Sequence, residues 1–148
     1  MAAEIKPSDL EGAWHLHSWL IHYPDNRETA APFGCDPGGL LLYCPDGWMS
    51  ATVHRAGRAG LPAGVSPRKL DDGLIVEAYW SYFHYAGTWR IEGDRVIHSV
   101  QHSLNPSMVG TEQVRQMTLK PSQLNLTGIE SIAGGQRTHE LVWFRPGS

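Results

Sequence analysis

Matching aromatic runs bracket this chain: Gly12-Ala13-Trp14 opens its first alternating segment and Trp143-Phe144-Arg145 closes its last. One β-rich stretch lies between them. The first and last strands are therefore predicted to pair, closing a barrel and removing the strand edges that would otherwise template aggregation. At 148 residues one core buries roughly 70% of the unfolded surface, so residues 1–148 read as a single domain. The 16 glycines and 10 prolines cluster between apolar runs, as short strands joined by tight turns require.

Ser8 is expected to cap one turn ending at Glu11. Trp14, Leu16, Ser18 and Leu20 then alternate with His15, His17, Trp19 and Ile21, a period-two strand with its even-numbered face inward. A turn-rich loop spans residues 24–39. Residues 40–44 and 48–55 form a hairpin around Pro45-Asp46-Gly47. Ser66-Pro67 is a cap followed by a proline suited to the first helical position, and Leu70, Leu74, Ala78 and Tyr82 recur at i+4, so a helix is placed at about 67–79. Strands follow at about 82–91, 95–103, 111–120, 123–128 and 139–145. The predicted class is all-β: a closed antiparallel up-and-down β-barrel of about eight strands, with a short N-terminal turn and one helix.

An ordered set of motifs runs through Leu10-Glu11-Gly12-Ala13-Trp14, Phe33-Gly34, Asp36-Pro37-Gly38-Gly39, Tyr43, Asp46-Gly47 and Met49-Ser50-Ala51. It continues through Tyr85-Ala86-Gly87-Thr88-Trp89, Val96, His98, Pro106, Gly110, Gln113, Arg115, Leu141, Trp143 and Arg145. Over nearly its whole length the chain thus resembles the small lipocalin-like domain proteins of bacteria and fungi. The resemblance implies a lipocalin- or calycin-type barrel around a cavity for a small, mostly apolar molecule. It also implies that Trp14 plugs the closed end with Arg145 across its ring. It implies no single reaction, because barrels of this type serve carriers and enzymes alike. The chain departs from the family pattern at Trp48, where a polar residue is usual, and in a longer, glycine-richer loop before the helix, so ligand specificity does not carry over.

Several classes are set aside by composition. The net charge is -3 and the 12 Lys and Arg form no run, which does not support nucleic-acid binding. No stretch approaches the roughly 20 apolar residues that cross a bilayer, and Met1 to Asp9 lacks a leader pattern. A cytoplasmic protein is expected, with Cys35 and Cys44 as reduced, partly buried thiols. The chain has no Gly-x-Ser-x-Gly elbow, phosphate loop or dinucleotide fingerprint, and no cofactor is expected. No metal site is expected either. On a strand His98 and His102 lie roughly 13 Å apart, too far to share one ion, and His15 and His17 fall on the outward parity.

Parity gives a wall of apolar and aromatic residues facing the interior, from which Tyr43, Met49, Trp89, Met117 and Trp143, together with Trp48, are the candidate ligand contacts. Against it stand His98, His102, Gln113 and Arg115, with Tyr85 as the best placed phenol. If the strand from Arg95 pairs with the strand from Thr111, Val100 falls opposite or near Arg115, and the guanidinium lies between the two imidazoles. Such a cluster either orients a ligand carbonyl, carboxylate or phenol or forms a buried network that satisfies itself. The glycine-rich loop at 56–65 and the helix after it read either as a lid or as a plain connection.

Three readings remain open. The barrel binds a small apolar or amphipathic molecule; or it is a cofactor-independent cyclase or isomerase acting on a polyketide- or terpenoid-like intermediate, in which His98, His102, Tyr85 and Arg115 move protons or polarise a carbonyl; or its core is filled and it serves a structural or interaction role.

Overall fold

A computed structural model describes residues 4–25, 29–133 and 135–146. Eight strands form a closed barrel in chain order: β1 Gly12–His22, β2 Gly38–Tyr43, β3 Trp48–His54, β4 Tyr82–Glu92, β5 Arg95–Ser103, β6 Glu112–Lys120, β7 Gln123–Ile132 and β8 Gly135–Phe144. All pairs are antiparallel, and β1 closes the barrel by pairing with β8 through Leu16 and Trp143. The bracketing runs therefore lie side by side, as the sequence predicts. Part of the predicted 24–39 loop, residues 26–28, lies outside the described residues.

The closed end is built around Trp14, which is fully buried. Its indole Nε1 donates to Leu10 O at 2.9 Å, and the Arg145 guanidinium lies 4.0 Å from its ring centroid. Arg145 Nη2 also donates to Glu11 O at 2.9 Å. One cation thus joins the aromatic plug to the C-terminal end of the short helix α1, Pro7–Leu10. That turn is not capped by Ser8; Asp9 Oδ2 accepts from Lys6 N at 2.8 Å, and the turn begins two residues earlier, at Pro7 with Lys6 in the cap position. Arg145→Ala is expected to lower stability by about 1–3 kcal/mol in urea denaturation, with no change in ligand affinity. Lost affinity at unchanged stability would refute this structural role.

Helix α2 spans Asp72–Trp80, later than the sequence suggests. Ser66 does cap, accepting from Arg68 N at 3.3 Å, but only for a single 3-10 turn, Pro67–Lys69. Leu70 returns to extended backbone, and Asp71 supplies a second cap by accepting from Gly73 N. The i+4 row does not mark a buried face, since Leu74 is exposed and α2 has no buried residue. Its last turn instead brings Tyr79 and Trp80 to the barrel mouth.

Two one-residue insertions change which side chains face in. On β1 the register steps from Leu16 opposite Trp143 to Ser18 opposite Val142, so His17 is an extra residue and the inward parity switches from even to odd. Ile21 is consequently buried and Trp19 turns inward, against the expectation that both face solvent. On β5 the register steps from Val100 opposite Gly87 to His102 opposite Ala86, making Gln101 the extra residue. Cys35 and Cys44 are free and both exposed rather than partly buried. Among the described residues no helix is long and apolar enough to cross a membrane.

Candidate functional site

The barrel encloses a cavity of about 630 Å³ that opens between the upper loops. Its wall is largely aromatic and aliphatic, with Trp19, Phe33, Phe83, Leu126, Leu141 and Trp143 among the lining residues. Tyr43, Met49, Trp89 and Met117, expected as ligand contacts, are buried at 9% exposure or less but do not border this space. They pack the closed end, because residues near the strand ends that carry the Asp46-Gly47 and Gly93-Asp94 turns fill the floor. Trp48 is corrected more strongly: it opens β3 on the outward parity and is 47% exposed.

A polar cluster forms the deep end. His98, 2% exposed, is held between two phenols, with the Tyr43 hydroxyl 2.6 Å from Nε2 and the Tyr85 hydroxyl 2.6 Å from Nδ1. Burial first, and the nearby Arg115 charge second, push the His98 pKa down to about 3, so the ring is neutral. Burial also raises both phenols above their ordinary value. The Tyr85 hydroxyl is pulled back in part by the charge and hydrogen bonding of Arg115, and Tyr43 is raised further by Tyr85. Both hydroxyls are therefore protonated near neutral pH.

Arg115 lines the cavity beside this group. It donates to Val114 O at 3.1 Å and to Gln113 Oε1 at 3.3 Å, but it makes no salt bridge among the described residues. Its guanidinium lies over Gly128 on β7, where a Cβ would stand 2.5 Å from Nη1 and 2.8 Å from Cζ. Gln113 faces the same space and donates from Nε2 to Thr111 Oγ1 at 2.9 Å. The Trp143 indole N–H is buried without an acceptor among the described residues.

His98, Tyr85, Gln113, Arg115 and Trp143 are thus brought together, but not in the expected register. Arg115 sits opposite Val96 and Gln113 opposite His98, while Val100 bonds to Thr111; β5 stops pairing with β6 at Val100, so the connection runs over residues 101–110, longer than the assumed loop at 104–110, and the register shifts with it. His102 is not part of the cluster. The extra residue Gln101 turns it to the outer face, where it is exposed and its charge helps lower the pKa of His84, after the larger effect of burial.

Nearer the mouth stands a second polar group that sequence reasoning missed. The Trp19 Nε1 donates to His139 Nδ1 at 3.1 Å, which fixes the tautomer: His139 Nε2 carries the proton and donates to Glu130 Oε1 at 2.9 Å. Arg137 Nε donates to the same oxygen. Burial raises Glu130, but these hydrogen bonds and the Arg137 charge outweigh it, leaving the carboxyl below its ordinary value. The alternation of Leu124, Leu126 and Gly128 continues to Glu130, and that of Trp143 and Leu141 runs back to His139 and Arg137. That continuing period is the available signal, and it runs beyond the predicted strand ends at residues 128 and 139.

A family comparison agrees with this architecture. A family profile described as a lipocalin-like domain matches residues 11–146. Among solved structures, the chain is similar to bovine odorant binding protein in complex with a selenium-containing odorant, at 14% identity and a TM-score of 0.49, over 100% of this chain and 77% of that one. No curated protein matches the sequence. The strand order, the barrel closure and a profile match spanning almost the entire chain place this protein in the lipocalin-like domain family.

Proposed function

We propose that this barrel binds a small, mostly apolar molecule and anchors its polar or anionic group at Arg115. The observation that carries the reading is a guanidinium without a carboxylate partner among the described residues, inside an apolar, aromatic cavity. Arg115 is half-buried, so its charge is only partly hydrated there and gains from a partner that completes it, and a few convergent polar groups in an apolar pocket are what small-molecule sites present. Charge points the same way. Among the described residues the lining holds Arg55, Arg115 and Arg137 against the single carboxylate of Glu130, within a chain whose net charge is -3. Such a cavity draws in an acidic ligand against the sign of the whole molecule.

No observation favours the cyclase or isomerase reading. Both nitrogens of His98 are engaged, its pKa lies near 3, and His102 faces away, so neither imidazole is offered to a substrate as a proton acceptor.

Titration calorimetry with 2-naphthoate, an aromatic carboxylate that suits this wall, tests the proposal. Arg115→Gln is expected to weaken binding by about tenfold or more, the value of a charge-assisted hydrogen bond. Gly128→Ala keeps the charge but displaces it, since the added methyl occupies the space of the guanidinium, and should weaken binding several-fold at unchanged fold. Wild-type affinity in both variants, or no binding to wild type, would overturn the proposal.

A further inference from the structure

The deep end of the cavity has a hydrogen-bond polarity set from outside it. A neutral imidazole has one N–H and one lone pair, so of the two phenols that flank His98 one must donate and the other accept. In the first arrangement Tyr43 donates to Nε2, Nδ1–H donates to the Tyr85 oxygen, and the Tyr85 proton is free to point into the cavity. In the second, Tyr85 donates to Nδ1, Nε2–H donates to Tyr43, and the Tyr43 proton needs another acceptor. It has none. Tyr43 is 1% exposed, does not border the cavity, and has no other hydrogen-bond partner among the described residues.

Stranding that buried O–H disfavours the second arrangement by roughly five- to 150-fold. The surrounding groups reinforce the outcome. Arg115 is donor-only, and the Gln113 carbonyl oxygen already accepts from it. The cavity therefore meets a ligand with N–H and O–H groups at this end.

We propose that Tyr43, which does not border the cavity, is a positioning residue that fixes His98 as the Nδ1–H tautomer and turns the Tyr85 hydroxyl proton inward. The site then takes a pure acceptor, a carboxylate or a carbonyl oxygen, in preference to a hydroxyl. The ligand half of this inference rests on the proposed binding function; the tautomer half concerns the ligand-free protein alone.

Long-range proton–nitrogen correlation spectra of protein labelled with nitrogen-15 histidine, recorded near pH 7 without ligand, read the tautomer directly. His98 is expected to carry its proton on Nδ1, and Tyr43→Phe to move it toward a mixture. A proton on Nε2 in wild type overturns the proposal, and that spectrum suffices even if Tyr43→Phe fails to fold. An unchanged tautomer in a folded Tyr43→Phe overturns the role of Tyr43.

Calorimetry then compares 2-naphthoate and 2-acetylnaphthalene with 2-naphthol. Wild type should favour the two acceptors, and Tyr43→Phe should narrow that preference about twofold or more. No preference, with the tautomer as expected, overturns the ligand half; no binding of any of the three overturns the function reading while the tautomer result stands.

Discussion

An alanine at Gly87 is expected to leave little folded protein. Gly87 lies on β4 between Met49 of β3 and Val100 of β5, beside the extra residue Gln101. A Cβ there would stand 1.9 Å from Ser99 O, 2.9 Å from Ser99 C and 3.0 Å from Gln101 N. All three are backbone atoms, so no rotamer change relieves the clash. β5 would have to move away from β4, breaking ladder hydrogen bonds where the insertion has already interrupted the register. Overpacking a core costs about 1–3 kcal/mol when side chains can adjust; moving a strand should cost roughly 3 kcal/mol or more, a large share of the total stability of a domain. Gly60→Ala is the control, since a Cβ there meets nothing within 4 Å, and it should stay within about 0.5 kcal/mol of wild type. Urea denaturation and soluble yield decide it. A Gly87→Ala protein as stable as the control would mean that β4 and β5 do not approach each other this closely.

The same crowded spot explains what the sequence could and could not show. Alternation reveals the strands, and the pairing of the two ends follows from the aromatic bracket, because a strand run and its turn residues are local features. An extra residue is not. Nothing in Ser99-Val100-Gln101-His102 marks Gln101 as the residue to skip, yet skipping it sends His102 to the outside. His17 does the same on β1 and brings Trp19 to the cavity. The deep cluster was legible as far as parity held, through His98, Gln113, Arg115 and Tyr85. Its organisation was not, since the link from Tyr43 on β2 to His98 on β5 joins strands that are not neighbours in the sheet, and no pattern along the chain reports a contact across the barrel.

Lowering the pH from 6.5 to 4.5 should cost this barrel about 2–3 kcal/mol through His98 alone. In the folded protein its pKa lies near 3 because burial, and then the Arg115 charge, penalise the imidazolium; in the unfolded chain it returns to about 6.5. The unfolded state therefore takes up a proton that the folded state refuses. The contribution is fully present above pH 6.5 and is lost as the pH falls toward 3, with a limiting slope of about 1.4 kcal/mol per pH unit. Glu112 and Glu130, whose pKa values are held below the ordinary carboxylate value, lose their contributions only at lower pH, below about 4.5. His84, lowered by burial and then by His102, adds to the loss with the same sign but is only partly buried. Urea denaturation at pH 7, 6 and 5 measures the slope, and His98→Gln separates the causes. That variant should be less stable at pH 7, where it loses the two phenol hydrogen bonds, yet should vary little with pH down to about 5. A slope as steep as that of wild type would show that His98 is not the titrating group. The expected slope would mean that charging His98 and keeping the barrel folded oppose each other across the acid range, so the ring acts in the native protein as a neutral link between two phenols.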